Sequence, residues 1–135
     1  MVAIVYYTVS KQTQRFVNKI EDKYTKIELT NQNPFIEMVE PFICIIPSYE
    51  QNVLPDVYDS FDDLLSTGDN AELCQGIFAS GNRNFAQLFG VTAHEISDKY
   101  NIEVLHYFEF QGSDLDVNKI EKELDNIEYP SKLNR

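Results

Sequence analysis

The chain has 135 residues, with 22 acidic side chains against 11 basic ones and a formal net charge of −11. The length fits a single domain, 1–135, with a core of its own, and 43% apolar and 13% aromatic residues argue against disorder. The acidic excess speaks against broad nucleic-acid binding and against docking on anionic membranes, both of which need a cationic surface.

No stretch approaches the roughly 20 apolar residues of a membrane span. The N-terminus runs into Val2-Ala3-Ile4-Val5 without a basic leader or a cleavage site, so the expected location is the cytoplasm. Val2 to Tyr7 is nearly continuous in apolar side chains, the pattern of a strand buried on both faces. The segment Thr8 to Thr13 follows, and then a helical pattern places Phe16, Val17 and Ile20 on one face. Lys26-Ile27-Glu28-Leu29 alternates like an edge strand, and Thr30 to Glu40, with Asn33-Pro34, reads as a connection.

Phe42 to Ile46 is the second clear buried strand, bracketed by Pro41 and Pro47. After the loop Ser48 to Leu54, Pro55 suits a first helical turn, and Val57, Tyr58, Phe61, Leu64 and Leu65 follow helical spacing. Thr67-Gly68-Asp69-Asn70 is turn chemistry, and Gly76 to Ala79 is the next buried strand, running into Ser80-Gly81-Asn82. An amphipathic helix then buries Phe85, Leu88, Phe89, Ala93 and Ile96. Glu103 to Phe108 is the last strand. Ser113 or Asp114 can cap a final helix that buries Val117, Ile120, Leu124 and Ile127 and ends near Pro130.

Strands alternating with helices predict a three-layer α/β sandwich. The expected sheet has five parallel strands in the flavodoxin-like order 2-1-3-4-5, with helices on both faces. Ligands of such sheets lie beyond the carboxyl ends of the strands, so three loops carry the expectation of function. The first, Thr8-Val9-Ser10-Lys11-Gln12-Thr13, offers hydroxyls and free backbone N–H groups at a helix N-terminus, a phosphate site in physical terms. It reads also as an ordinary helix start capped by Ser10 or Thr13. The second begins at Ser48. The third, Ala79-Ser80-Gly81-Asn82-Arg83-Asn84-Phe85, lets backbone approach a planar ligand, and its Asn side chains offer paired donors and acceptors. It reads also as a strand-to-helix turn with Asn84 as cap and Phe85 as core.

Competing chemistries lack their residues. The first glycine is Gly68, so neither GxxxxGK[ST] nor GxGxxG occurs. Cys44 and Cys74 form no CxxC pair and no zinc set with His94 and His106; Cys44 reads as a small core residue. Both histidines read as structural or exposed, Asp62-Asp63 as a solvated helix face, and Tyr6 and Tyr7 as packing residues.

Four stretches carry a family resemblance: Thr13-Gln14-Arg15-Phe16-Val17, Pro47-Ser48-Tyr49, Ala79 to Phe85, and Phe108-Glu109-Phe110-Gln111-Gly112-Ser113. In order and spacing the chain resembles the flavodoxin-like ribonucleotide reductase stimulatory proteins, the NrdI family. The resemblance implies one non-covalent FMN. It implies as partners the dimanganese small subunit of class Ib ribonucleotide reductase, a flavin reductase or other electron donor, and O₂, which the reduced flavin converts to superoxide or peroxide. Such a protein is a redox accessory more than a conventional turnover enzyme.

By position, Thr8, Ser10, Gln12 and Thr13, with Val9 and Lys11 in the same loop, would hold the phosphate. Pro47, Ser48, Tyr49, Glu50, Gln51 and Asn52 would face the ring, and Ser80, Gly81, Asn82, Asn84 and Phe85 would line its edge. A general electron carrier and a flavin-free interaction module are the alternatives on the same fold. Two departures from the family pattern stand out: Lys11-Gln12 where a Gly-Asn pair is frequent, and a second loop, Glu50 to Leu54, that is short and lacks glycine. A carboxylate at Glu50 near the ring would disfavour the anionic reduced flavin, which predicts a lowered reduction potential or weaker FMN binding.

The charge is unevenly spread. Residues 1–26 carry +3, residues 27–82 contain ten acidic and no basic side chains, and residues 83–135 carry −4. The phosphate-type loop lies in the only net-positive block.

Overall fold

The computed structural model describes residues 2–9, 11–48, 55–81 and 91–133. The chain forms β1 (Ala3–Tyr6), α1 (Lys11–Lys19), β2 (Thr25–Glu28), β3 (Phe42–Ser48), α2 (Pro55–Leu65), α3 (Asn70–Leu73), β4 (Cys74–Gly81), α4 (Val91–Tyr100), β5 (Val104–Glu109) and α5 (Asp114–Leu133). The five strands make one sheet in the order β2-β1-β3-β4-β5, every pair parallel. This is the flavodoxin-like order expected from the alternation of apolar runs and helical patterns.

Strand periodicity divides the interior into two cores. Ala3, Val5, Phe42, Cys44, Ile46, Ile77 and Ala79 point to one face, where Val57, Phe61, Leu64 and Leu65 of α2 and Ala93 and Ile96 of α4 cover them. Ile4, Tyr6, Ile43, Ile45 and Phe78 point to the other, against Phe16, Val17 and Ile20 of the first helical segment and Val117, Ile120 and Leu124 of α5. Each fully buried Val, Leu, Ile or Phe among them contributes about 1.5–3 kcal/mol of transfer free energy.

The connection from β2 to β3 carries no helix. Leu29 N donates to Tyr6 O (2.7 Å) at the carboxyl end of the sheet, and Ala3 N donates to Pro41 O (3.0 Å) at the amino end. Residues 30–40 therefore return along the first core face as irregular chain, with Met38 buried beneath them. Asn70, fully buried, holds that chain in place. Its Oδ1 accepts from Met38 N (2.8 Å), and its Nδ2 donates to Ile36 O and Leu64 O (both 2.7 Å).

Three boundaries differ from the sequence expectation. β3 runs through Pro47 to Ser48. Ile45 turns its carbonyl toward Tyr7 N (3.4 Å), so residue 47, two further on, turns the same way. β1 has ended there, and the missing N–H of Pro47 costs no ladder bond. The turn at Thr67 to Asn70 leads into the four-residue α3, too short to show any periodicity. The last helix continues through Pro130 to Leu133. Proline frees the carbonyl four residues earlier, that of the exposed Asn126, which water can satisfy. At its start Ser113 Oγ accepts from Asp116 N (3.3 Å), and the Asp116 carboxylate accepts from Ser113 N (2.8 Å), a reciprocal cap.

Candidate functional site at the carboxyl edge of the sheet

β3 and β4 extend past β1. Tyr6 is level with Ile45, whereas Pro47 pairs with Ser80 and Ser48 with Gly81. The ends of β3 and β4 thus form a step above β1, and the chain after β1 rises beside it into α1. Thr8 is half-buried, Val9 is 51% exposed, Lys11 is exposed, Gln12 is half-buried and Thr13 is fully buried. Pro47, Ser80 and Gly81 are buried at the sheet end. Ser10, Tyr49, Glu50, Gln51, Asn52, Asn82, Asn84 and Phe85 lie outside the described residues, as do Leu88 and Phe89.

The start of α1 has the properties of an anion site. Its first turn contains no acidic residue and begins at Lys11. A cation there opposes the positive end of the helix dipole, which an anion would offset. Thr13 lies in that turn, where backbone N–H groups have no intrahelical acceptor. Its Oγ1 is the one buried side-chain polar atom without a hydrogen-bond partner among the described residues. Leaving a buried hydroxyl unpaired costs about 1–3 kcal/mol, so a ligand that supplies an acceptor at this turn satisfies a standing deficit. Thr13 is inside α1, so it is not the helix cap that the sequence allowed.

A cleft of about 400 Å³ opens at this edge between Tyr7, Thr8 and Val9 on one side and Pro55, Asp56 and Val57 at the start of α2 on the other. By sequence Pro55 is only a helix start; a wall of the cleft is a further role that no local signal announces. Burial, reinforced by the Asp56 carboxylate, raises the Tyr7 hydroxyl above its ordinary value. Burial likewise raises Tyr6, and the bond to Gln14 Oε1 (3.1 Å) offsets this only in part. Both phenols stay neutral near pH 7.

The turn after β5 completes the edge. Phe110 N donates to Gly81 O (3.3 Å), which brings Phe110 against the end of β4. Its backbone is left-handed at φ 53° and its ring is 44% exposed. The signal for this is the Phe108-to-Ser113 stretch itself, whose place in the fold the spacing alone does not give.

Other residues behave as structure. His94 is exposed and meets Tyr107 Oη (2.9 Å), and His106 binds Asp116 (2.6 Å). Asp62 is half-buried and takes Lys99 (2.8 Å) and the Tyr100 hydroxyl, so it is not a plain solvated face. No group of three potential metal ligands occurs among the described residues, and no helix among them is long and apolar enough to cross a membrane.

Comparison with known proteins decides the family. The model of the family described as "NrdI Flavodoxin like" matches residues 4–122. The chain belongs to the NrdI flavodoxin-like family. Among NrdI relatives, Protein NrdI of Wigglesworthia glossinidia brevipalpis is 32% identical, over 99% of this chain and 94% of that one. Two solved structures share the fold. A short-chain flavodoxin associated with a non-canonical PDU bacterial microcompartment has a TM-score of 0.69 at 16% identity, covering 93% of this chain and 95% of that one. A Fusobacterium nucleatum flavodoxin bound to flavin mononucleotide has a TM-score of 0.52 at 21% identity, covering 94% and 96%.

Proposed function

We propose that this NrdI-family chain binds one FMN at the carboxyl edge of its sheet. In this reading it serves class Ib ribonucleotide reductase as a redox accessory: it reduces O₂ to superoxide or peroxide, which oxidises the dimanganese small subunit on the way to its tyrosyl radical. The observation that carries the proposal is the unpaired Thr13 Oγ1 in the first turn of α1. An FMN phosphate supplies an acceptor for this hydroxyl at the positive end of the α1 dipole. The family and the FMN-bound Fusobacterium nucleatum flavodoxin of like fold support the choice of ligand.

Bound FMN would supply the one- and two-electron chemistry that protein side chains cannot. The chain's residues do the rest. Thr8 and Thr13, with Ser10 and Gln12 by position, hold the phosphate, and Lys11 adds a charge of the right sign at the same turn. Pro47 and Ser48 at the end of β3, and Ser80 and Gly81 at the end of β4, form the step against which a planar ring lies. Tyr49 to Asn52 on one side of the ring, and Asn82, Asn84 and Phe85 at its edge, follow by position. An electron donor, a flavin reductase or its equivalent, recharges the protein between encounters in the cytoplasm.

The test has two stages. Purified protein is expected to be yellow, or to become so with added FMN; a colourless protein that takes up none leaves the flavin-free interaction module. Reduced protein exposed to O₂ is then expected to raise the tyrosyl-radical signal of a manganese-loaded class Ib small subunit. FMN binding with electron transfer to other acceptors, but without that signal, leaves the general electron carrier.

A further inference from the structure

The segment Phe35–Val39 stands apart from the flavin edge. Asn70 bonds it at the start of α3, just before β4 begins, so it lies toward the amino end of the sheet. Its exposure alternates: Phe35 is 64% exposed, Ile36 half-buried, Glu37 exposed, Met38 buried and Val39 90% exposed. That is the two-residue rhythm of a strand, with Phe35, Glu37 and Val39 on the outer side.

The backbone follows the same rhythm. One side-chain amide, that of Asn70, bonds both Ile36 O and Met38 N, so these groups point to one edge, as in a ladder with a neighbouring strand. The groups of Phe35, Glu37 and Val39 point to the opposite edge. No hydrogen bond to their backbone is found among the described residues. The segment is thus paired along one edge by a single side chain and open along the other. Two exposed apolar side chains, with Glu37 as the one charge between them, accompany the open edge, and such an edge is a template for pairing with another chain.

The charge around it selects the occupant. Glu37 sits within the open stretch itself, and the exposed Asp69 and Glu72 flank the Asn70 that bonds it; residues 27–82, which include the segment and that turn, contain no basic side chain. A second copy of the chain would bring the same acids face to face, and like charges across a strand pair are destabilising. An extended segment with lysine or arginine between apolar residues meets both the charge and the Phe35 and Val39 side chains. We propose that Phe35–Val39 is a docking edge for a cationic, extended segment of a partner protein, which adds to it as a strand. The edge lies away from the carboxyl-end loops, so the interaction is independent of FMN.

The test uses the full-length protein labelled for amide NMR, with and without FMN. The probe is a synthetic peptide of alternating lysine and valine; its fully N-methylated analogue keeps the charge but has no N–H to donate. Saturable shifts confined to residues 34–40 and Asn70, with the N-methylated peptide and a Val39→Lys variant each binding about tenfold more weakly, are expected. Equal binding of both peptides, or shifts spread over the acidic surface, would reduce the effect to charge attraction and overturn the proposal. A homodimer in sedimentation that Val39→Lys dissociates would overturn it in favour of self-pairing. Val39 is 90% exposed, so its replacement leaves the fold intact.

Discussion

The ring of Phe16 in α1 stacks on Phe108 in β5, with centroids 4.1 Å apart and planes at 25°. This pair fastens the helix that carries the proposed phosphate turn to the strand at the far side of the candidate site. The turn after β5 closes over it. Gly112 has φ +72°, and a Cβ there would lie 2.6 Å from Phe16 Cδ1 and 3.3 Å from Phe108 Cδ2. Lys19 at the end of α1 donates to Gly112 O (3.1 Å) and Gln111 O (3.4 Å), which ties the same two elements on the surface.

Gly112→Ala is therefore expected to be costly twice over, through the left-handed backbone and through displacement of Phe16. A loss of about 1–3 kcal/mol in urea unfolding is expected. Because α1 must shift, FMN affinity falls as well. Lys19→Met, which removes only two exposed bonds, is expected to change stability by less than about 1 kcal/mol and to leave FMN binding unchanged. Equal effects of the two variants would mean that the aromatic pair does not transmit the strain.

Thr13 gives a prediction with opposite signs in two measurements. Its hydroxyl is buried and has no partner among the described residues. Thr13→Val removes that deficit, so the ligand-free protein is expected to be as stable as the parent or more so, by up to about 1 kcal/mol. The same change would remove the proposed bond to a charged phosphate, worth about 1.5–3 kcal/mol, so FMN is expected to bind about 10- to 100-fold more weakly by fluorescence titration. Thr13→Ser keeps the hydroxyl and is expected to retain most of the affinity. Loss of stability with unchanged FMN binding in Thr13→Val would remove Thr13 from the site.

Much of the fold is legible in the residues themselves. The apolar runs at Val2–Val5, Phe42–Ile46 and Gly76–Ala79 sit in central strands buried on both faces, where period-two alternation is erased and only the run itself remains. The switch-point rule then places Thr8–Thr13 and Ser80–Gly81 at one edge. What the sequence hides is held by contacts across long separations. Asn70 looks like a turn residue because its bonds to Ile36 and Met38 span more than thirty positions. Phe110 reaches Gly81 only once β5 pairs with β4. Tyr49 to Asn52, Asn82, Asn84 and Phe85 lie outside the described residues, and their roles rest on sequence.

Asn70→Leu is expected to be among the most damaging substitutions outside the site. It leaves Met38 N–H and the Ile36 carbonyl without the partner they have now, and the Leu64 carbonyl with Thr67 N alone. About 2–4 kcal/mol of stability should be lost in denaturant unfolding. Asn70→Asp keeps the acceptor for Met38 N but sets a carboxylate against two carbonyls, so it is expected to be at least as harmful. A mild effect of both would show that the β2–β3 connection is held by apolar packing alone.

Cys44 and Cys74 lie with their sulfurs 3.7 Å apart in the core. Burial, with the neighbouring Cys74, raises the Cys44 thiol well above its ordinary value. Only the thiolate is nucleophilic and both sulfurs are buried from the reagent, so neither thiol is expected to react with Ellman's reagent at pH 8 in the native protein, and both should react on unfolding. Rapid labelling of either under native conditions would contradict the core reading of these strands.

The acid limb of stability is expected to run through Asp116 and Asp62. Burial alone would raise the Asp116 carboxyl, but the bonds from His106 and from the backbone and hydroxyl of Ser113 outweigh it and hold the group below its ordinary value. At Asp62 burial is likewise outweighed, by Lys99 and the Tyr100 hydroxyl. A carboxyl depressed in the folded state binds its proton more readily when unfolded. Its stabilisation is therefore complete above the unfolded value near pH 4 and is lost as pH falls through the folded one. Urea unfolding from pH 7 down to pH 3 is expected to show stability falling on that limb. Asp116→Asn should be less stable than the parent at pH 7 and converge with it in acid, so its curve is flatter. A constant difference between the two at every pH would mean that Asp116 acts through its shape and capping bond and not through its charge.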